Sequence, residues 1–115
     1  MSVDLMKLTG GLVGTPTSLD QALEHAELIA LLTVEEVNER RGLNLLVEPF
    51  QLSHVPGVQV RKTRGTLVWA SIKVKRQSEW VFVIEPSYPG VNEGTVNNYQ
   101  DLALSFITVL LSIGV

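Results

Sequence analysis

"TLVWASIKVKRQSEWVFVIE", Thr66–Glu85, decides the fold. Two runs rich in β-branched and aromatic residues flank a short polar break, the pattern of an antiparallel hairpin. Alternation sorts their side chains onto two faces. In the first run Val68, Ala70, Ile72 and Val74 share one face, and Leu67, Trp69, Ser71, Lys73 and Lys75 share the other. In the second run Trp80, Phe82 and Ile84 stand together, opposite Glu79, Val81, Val83 and Glu85. The uncharged faces have to meet in the core. A slip of one residue would turn Lys73 and Lys75 inward, so the register is well specified. A loop of Arg76, Gln77 and Ser78 keeps the faces matched and sets Lys75 opposite Glu79.

Upstream, "VQVRKT" (Val58–Thr63) adds a strand with Val58 and Val60 toward the core. With Val60 beside Ala70, Arg61 comes opposite Trp69, within reach of a cation–π contact. "LNLLVEPFQL" (Leu43–Leu52) reads as an edge strand, because Pro49 has no N–H to give to a ladder. Pro56-Gly57 and Pro89-Gly90 have type II turn chemistry. Glu85-Pro86 ends the last strand, and Pro86–Asn98 reads as a long linker.

Helices flank this meander. Ser18 and Gln21 make a capping box before "LDQALEHAELIALL" (Leu19–Leu32), whose Leu19, Ala22, Leu23, Ala26, Ile29 and Ala30 recur at helical spacing. Thr33 and Glu36 make a second box, so the segment is either one long helix or two meeting near Leu32–Thr33. Gly42 after Arg40 and Arg41 is a helix stop. The last helix, "YQDLALSFITVLLSI" (Tyr99–Ile113), is capped by Asn97 with Gln100 or by Asn98 with Asp101. Its polar residues Asp101, Ser105, Thr108 and Ser112 form one narrow stripe. A helix this apolar lies across the sheet beside the first helix or against another subunit.

The expected architecture is α+β: an N-terminal helical segment, a three- to four-stranded antiparallel β-meander and a C-terminal helix packed on the sheet. Residues 1–17, with Gly10, Gly11, Gly14 and Pro16, read as a flexible or extended arm, and 18–115 as a single domain. At 115 residues the chain is long enough to bury a core without staples.

Composition narrows the function classes. There is no cysteine, which removes disulfides and thiolate metal sites. The first residues lack the basic-then-apolar pattern of a secretory leader, and the C-terminal apolar run falls short of the ~20 residues of a membrane span. A cytoplasmic protein with no membrane contact is expected. The net charge of −3 hides a division. Residues 1–48 carry three basic residues against eight acids, 49–76 carry six basic residues and no acid, and 77–115 carry four acids and no base.

That basic segment overlaps the second face of the hairpin. Arg61, Leu67, Trp69, Lys73, Lys75, Val81 and Val83 make a patch in which cations frame apolar groups, a surface for a protein partner or a second copy. The reading is a non-enzymatic interaction or assembly module, such as an adaptor, a chaperone-like protein or a structural component. One alternative is a nucleic-acid-binding module using the basic hairpin 61–76, with Arg61, Lys62, Arg64, Trp69, Lys73 and Lys75 as contacts. Another is a small enzyme with a site joining His54 to an acid. His25 reads as a helix-surface histidine. Glu48 and Glu85 each precede a proline at a strand end and read as strand-ending acids, though folding that faced them together would make a carboxylate pair. No catalytic, cofactor-binding or metal-ligating residue is assigned.

Overall fold

Ser18 is extended, and its hydroxyl oxygen accepts a hydrogen bond from the Gln21 N–H at 3.1 Å, which starts helix α2 (Leu19–Arg41). Gln21 reaches back in turn and accepts from the Thr17 N–H at 2.8 Å. The helix stays continuous through Thr33. The Thr33 hydroxyl is buried and donates to the Ile29 carbonyl at 2.9 Å, so it bonds back inside the helix rather than capping a new one. Gly42 takes the left-handed conformation, φ 61°, and closes the helix. The computed structural model describes residues 4–52, 55–63, 67–87 and 94–113, with backbone alone for 50–52.

After Gly42 the chain forms a five-stranded antiparallel sheet, β1 (Leu45–Leu52), β2 (Val55–Lys62), β3 (Val68–Arg76), β4 (Trp80–Pro86) and β5 (Gly94–Val96). Spatial order follows chain order, a simple meander. Helix α3 (Tyr99–Ser112) completes it. The class is the α+β expected, with five strands where three or four are counted from sequence. β1 is an edge strand, as Pro49 requires. The fifth strand comes from the segment read as a linker: Val96 pairs with Phe82 and Thr95 with Val83.

Two turn assignments change. Pro56 and Gly57 lie inside β2, paired with Gln51 and Phe50. Gly57 serves close approach here: a Cβ on it would meet the Ile72 carbonyl oxygen of β3 at 2.2 Å. At the β3–β4 hairpin Lys75 stands opposite Val81 and Arg76 opposite Trp80, with the Gln77 N–H donating to the Glu79 carbonyl. Lys75 is therefore two residues out of the expected pairing with Glu79, while Ala70–Lys75 and Trp80–Glu85 keep their expected faces. Val68, expected in the core, pairs with Arg61 and is half-buried outside the core cluster. The Arg76 guanidinium lies 5.1 Å from the Trp80 ring centre, a contact this register permits. Pro89-Gly90 lies outside the described residues.

The helices share the core with one side of the sheet. Ala22, Ala26, Ile29, Ala30, Val34 and Val37 of α2 pack with Val58, Val60, Ile72, Phe82 and Ile84 of the sheet and Leu102, Phe106, Ile107 and Leu110 of α3. Where a flexible or extended arm is expected, residues Leu5–Thr9 form a short helix, α1, capped by Asp4. It packs on α2 and α3 and buries Leu8 in the core. Lys7 reaches Glu36 of α2 at 2.9 Å, and Arg40 meets the same carboxylate at 2.9 Å. α1 thus helps to cover the apolar α3 within one chain. Asn98 caps α3, accepting from the Asp101 N–H at 2.8 Å while its own amide donates to the Asp101 carboxylate at 2.7 Å. The exposed stripe of α3 runs through Asp101, Leu104, Thr108 and Ser112, with Ser105 half-buried. No helix among the described residues is long and apolar enough to cross a membrane.

Candidate functional site

The sheet has a second side, and strand pairing places its residues in rows. Gln59 pairs with Glu48 on one flank and Ser71 on the other, and Ser71 pairs with Glu85. Lys73 pairs with Val83, which pairs with Thr95, and Lys75 pairs with Val81. Parity sets all of these opposite the core residues Val58, Val60, Ile72, Val74, Phe82 and Ile84. The structure therefore brings together five of the seven expected contact residues: Arg61, Lys73, Lys75, Val81 and Val83.

Trp69 is not among them. The ladder between β2 and β3 slips at Val60/Arg61, so Val60 pairs with Ala70 but Arg61 pairs with Val68. Trp69 is the extra residue of a β-bulge, and a bulge re-aims side chains that alternation would otherwise place. It is 4% exposed and belongs to the core cluster. Lys62 stands 5.4 Å from its ring centre, within cation–π reach. Leu67, just before β3, is 57% exposed.

Arg61 turns instead to β1. Its guanidinium donates to Glu48, and Gln59 donates to the second oxygen of that carboxylate at 3.0 Å. These two hydrogen bonds, Arg61 first, hold Glu48 down to about pKa 2 from 4.5, and Glu48 in turn raises Arg61. On the other flank Lys73 pairs with Glu85 at 2.8 Å. So Glu48 and Glu85 occupy one row of the same face but do not meet. Gln59 and Ser71 stand between them, and each acid serves a separate cation.

The face thus carries two cross-strand ion pairs, Arg61–Glu48 and Lys73–Glu85, and a third cation, Lys75. The apolar strip between them is narrow. Val81 and Val83 are 6% and 9% exposed yet stand outside the core cluster, with Lys75 and Lys73 directly across the ladder. Lysine stems in that position shield apolar neighbours while the ammonium groups stay in water. Lys75 is exposed and has no ion-pair partner among the described residues.

Glu48, Gln59 and Glu85 are the members that sequence reading left out of the patch. Extending alternation one strand further, to Leu45–Leu52, would have set Glu48 on the face. Its choice of Arg61 needs the β1–β2 register, in which Glu48 sits opposite Gln59 and next to the Arg61 row.

The histidines build no comparable site. His25 Nδ1 and the Tyr99 hydroxyl are hydrogen-bonded at 2.8 Å, with the rings edge-on at 5.0 Å. Tyr99 is buried, and burial raises its phenol. The pair joins α2 to α3 and satisfies a buried hydroxyl. His54 and Arg64 lie outside the described residues. Among the described residues no group of three or more His, Asp or Glu side chains is placed to hold a metal ion.

No protein-family model, curated protein or solved structure matches this chain.

Proposed function

We propose that this chain is a non-enzymatic protein-interaction or assembly module that associates through the outer face of its sheet. The supporting observation is the one-sided packing: the described core unites all three helices with one face of the sheet, leaving Arg61, Lys73, Lys75, Val81 and Val83 on the other. The ionic groups there suit a face that becomes covered. A charge that enters an interface already paired and hydrogen-bonded loses less than one that must find its counter-ion in the partner. Leu67 adds an exposed apolar side chain at the margin. A cytoplasmic location goes with this reading.

The nucleic-acid reading receives less support. Trp69, its stacking side chain, lies in the core, and Arg61 and Lys73 already hold carboxylates.

Sedimentation equilibrium between about 1 and 100 µM tests the proposal, a range that covers micromolar association. Wild-type protein is expected to self-associate, and Leu67→Ser/Lys75→Glu to weaken this by roughly tenfold or more. Both positions are exposed, so the thermal unfolding midpoint should stay unchanged. A wild type that remains monomeric throughout, or a variant that associates equally well, overturns it. Salt-sensitive binding of labelled oligonucleotides that disappears in Lys73→Glu/Lys75→Glu would favour nucleic acid instead.

A further inference from the structure

One donor on the core side of the sheet is left without an acceptor. Trp80 Nε1 is closed off from solvent and, among the described residues, is the one buried side-chain nitrogen or oxygen with no hydrogen-bond partner. A buried donor in that state is costly, and a native structure that keeps one has a use for it or brings it an acceptor.

Trp80 stands at the start of β4, packed against the core cluster, and forms part of the wall of a hollow of ≈ 390 Å³. Leu19 from the start of α2, Val55 and Pro56 from the start of β2, and Val74, Lys75 and Arg76 from the end of β3 supply the rest. That volume lies within the ordinary range of small-molecule pockets, roughly 300–1,000 Å³, and so does the make-up, apolar walls with a few polar groups.

The polar groups all call for an acceptor. Arg76 is exposed, its guanidinium lies 5.1 Å from the Trp80 ring centre, and it has no ion-pair partner among the described residues. It differs in this from Arg61 and Lys73 of the outer face, whose carboxylates the chain itself supplies. No acid is among the described residues that line the hollow. Glu79, next to Trp80 in the chain, instead accepts a hydrogen bond from the Asn97 amide, beyond β5.

We propose that the hollow binds a small organic anion, an aromatic or branched aliphatic carboxylate. Its apolar body lies against Leu19, Val55, Pro56 and Val74. Its carboxylate takes the Arg76 guanidinium, which swings off the indole, and accepts the Trp80 N–H that this movement uncovers. A guanidinium offers a carboxylate two parallel donors, and Lys75 beside it adds charge. The site does not depend on the outer face and stands whether or not that face docks a partner.

Titration with sodium benzoate tests this, followed through the indole N–H signals in NMR of nitrogen-labelled protein. The Trp80 signal is identified by its loss in Trp80→Phe, and Trp69, in the core, is the internal control. The Trp80 signal is expected to move downfield and saturate, with a Kd of about 1 mM, ordinary for a ligand of so few atoms. The Trp69 signal should stay in place. Arg76→Gln should weaken binding roughly tenfold or more, the worth of a charge-assisted hydrogen bond. Arg76 is exposed, and circular dichroism confirms that the variant folds. Benzyl alcohol has the body without the charge, and inorganic phosphate the charge without the body; each should bind at least about tenfold more weakly. A Trp80 signal that stays still up to roughly twentyfold above the expected Kd overturns the proposal. So does an Arg76→Gln variant that binds as well as wild type, or benzyl alcohol that binds as tightly as benzoate. Phosphate binding as tightly as benzoate overturns the apolar body and with it the ligand class.

Discussion

Arg61 and Val68 face each other across β2 and β3, where an unbroken ladder would set Arg61 against Trp69. That one-residue displacement gives the indole to the core and frees the guanidinium for Glu48. Trp69→Ala should therefore behave as a core truncation and lower stability by about 3–5 kcal/mol in urea unfolding. A loss under about 1 kcal/mol, the scale of a surface substitution, would contradict the core placement.

Gly57 gives a second check. An added Cβ meets the Ile72 carbonyl oxygen, a backbone atom that cannot swing aside. Gly57→Ala should cost about 2–3 kcal/mol in thermal or urea unfolding, the scale of overpacking. Gly57→Asn should fare no better. Were Pro56-Gly57 a type II turn, asparagine would be tolerated there, so the asparagine variant separates the two readings.

The Glu48 carboxylate links stability to acid. Its folded pKa, about 2, lies below the ordinary 4.5 because Arg61 and Gln59 donate to it. A depressed carboxylate stabilises the fold fully above its unfolded pKa and stops doing so as pH falls through the folded value. Wild type should lose stability between about pH 4.5 and 2, and Glu48→Gln should show a shallower decline across that window. Urea midpoints measured at intervals of pH test this; identical slopes for the two proteins would rule out Glu48 as a contributor.

Hydroxyls at the two candidate capping positions of α2 should respond differently. Ser18→Ala removes the acceptor for the Gln21 N–H and should cost about 1 kcal/mol. Thr33→Val removes a hydroxyl whose carbonyl partners also accept helical N–H bonds, so its effect should stay within about 0.5–1.5 kcal/mol, the net worth of one hydrogen bond. A larger penalty at Thr33 than at Ser18 in urea unfolding would argue against a continuous helix there.

The sequence carries the faces of β3 from Ala70 onward and of β4 openly, because Ala70–Val74 and Trp80–Ile84 alternate without a break and charge lies on one side only. It does not carry the exact hairpin pairing. Lys75 opposite Glu79 and Lys75 opposite Val81 obey the same alternation, and only the second sets Arg76 opposite Trp80. Trp69 escapes alternation for a different reason: a bulge adds a residue that no periodic pattern records. Gly57 carries turn chemistry in its Pro-Gly pair, and only the neighbouring strand reveals why a side chain is excluded. α1 is five residues long, too short for a helical period to appear, and Leu8 finds its place only once α2 and α3 exist. The candidate patch shares these limits. Its cations are visible as a run, whereas Glu48 and Glu85, which neutralise two of them, are distant in the chain and adjacent only in the sheet.

The two margins of the sheet bear on aggregation. Pro49 interrupts the donors of β1 along one margin, and β5 offers three residues along the other. A passing extended chain finds little to template on at either side, so strand-by-strand fibre growth is disfavoured at both. Seeding by fragments of the protein's own β-strands should therefore be slow.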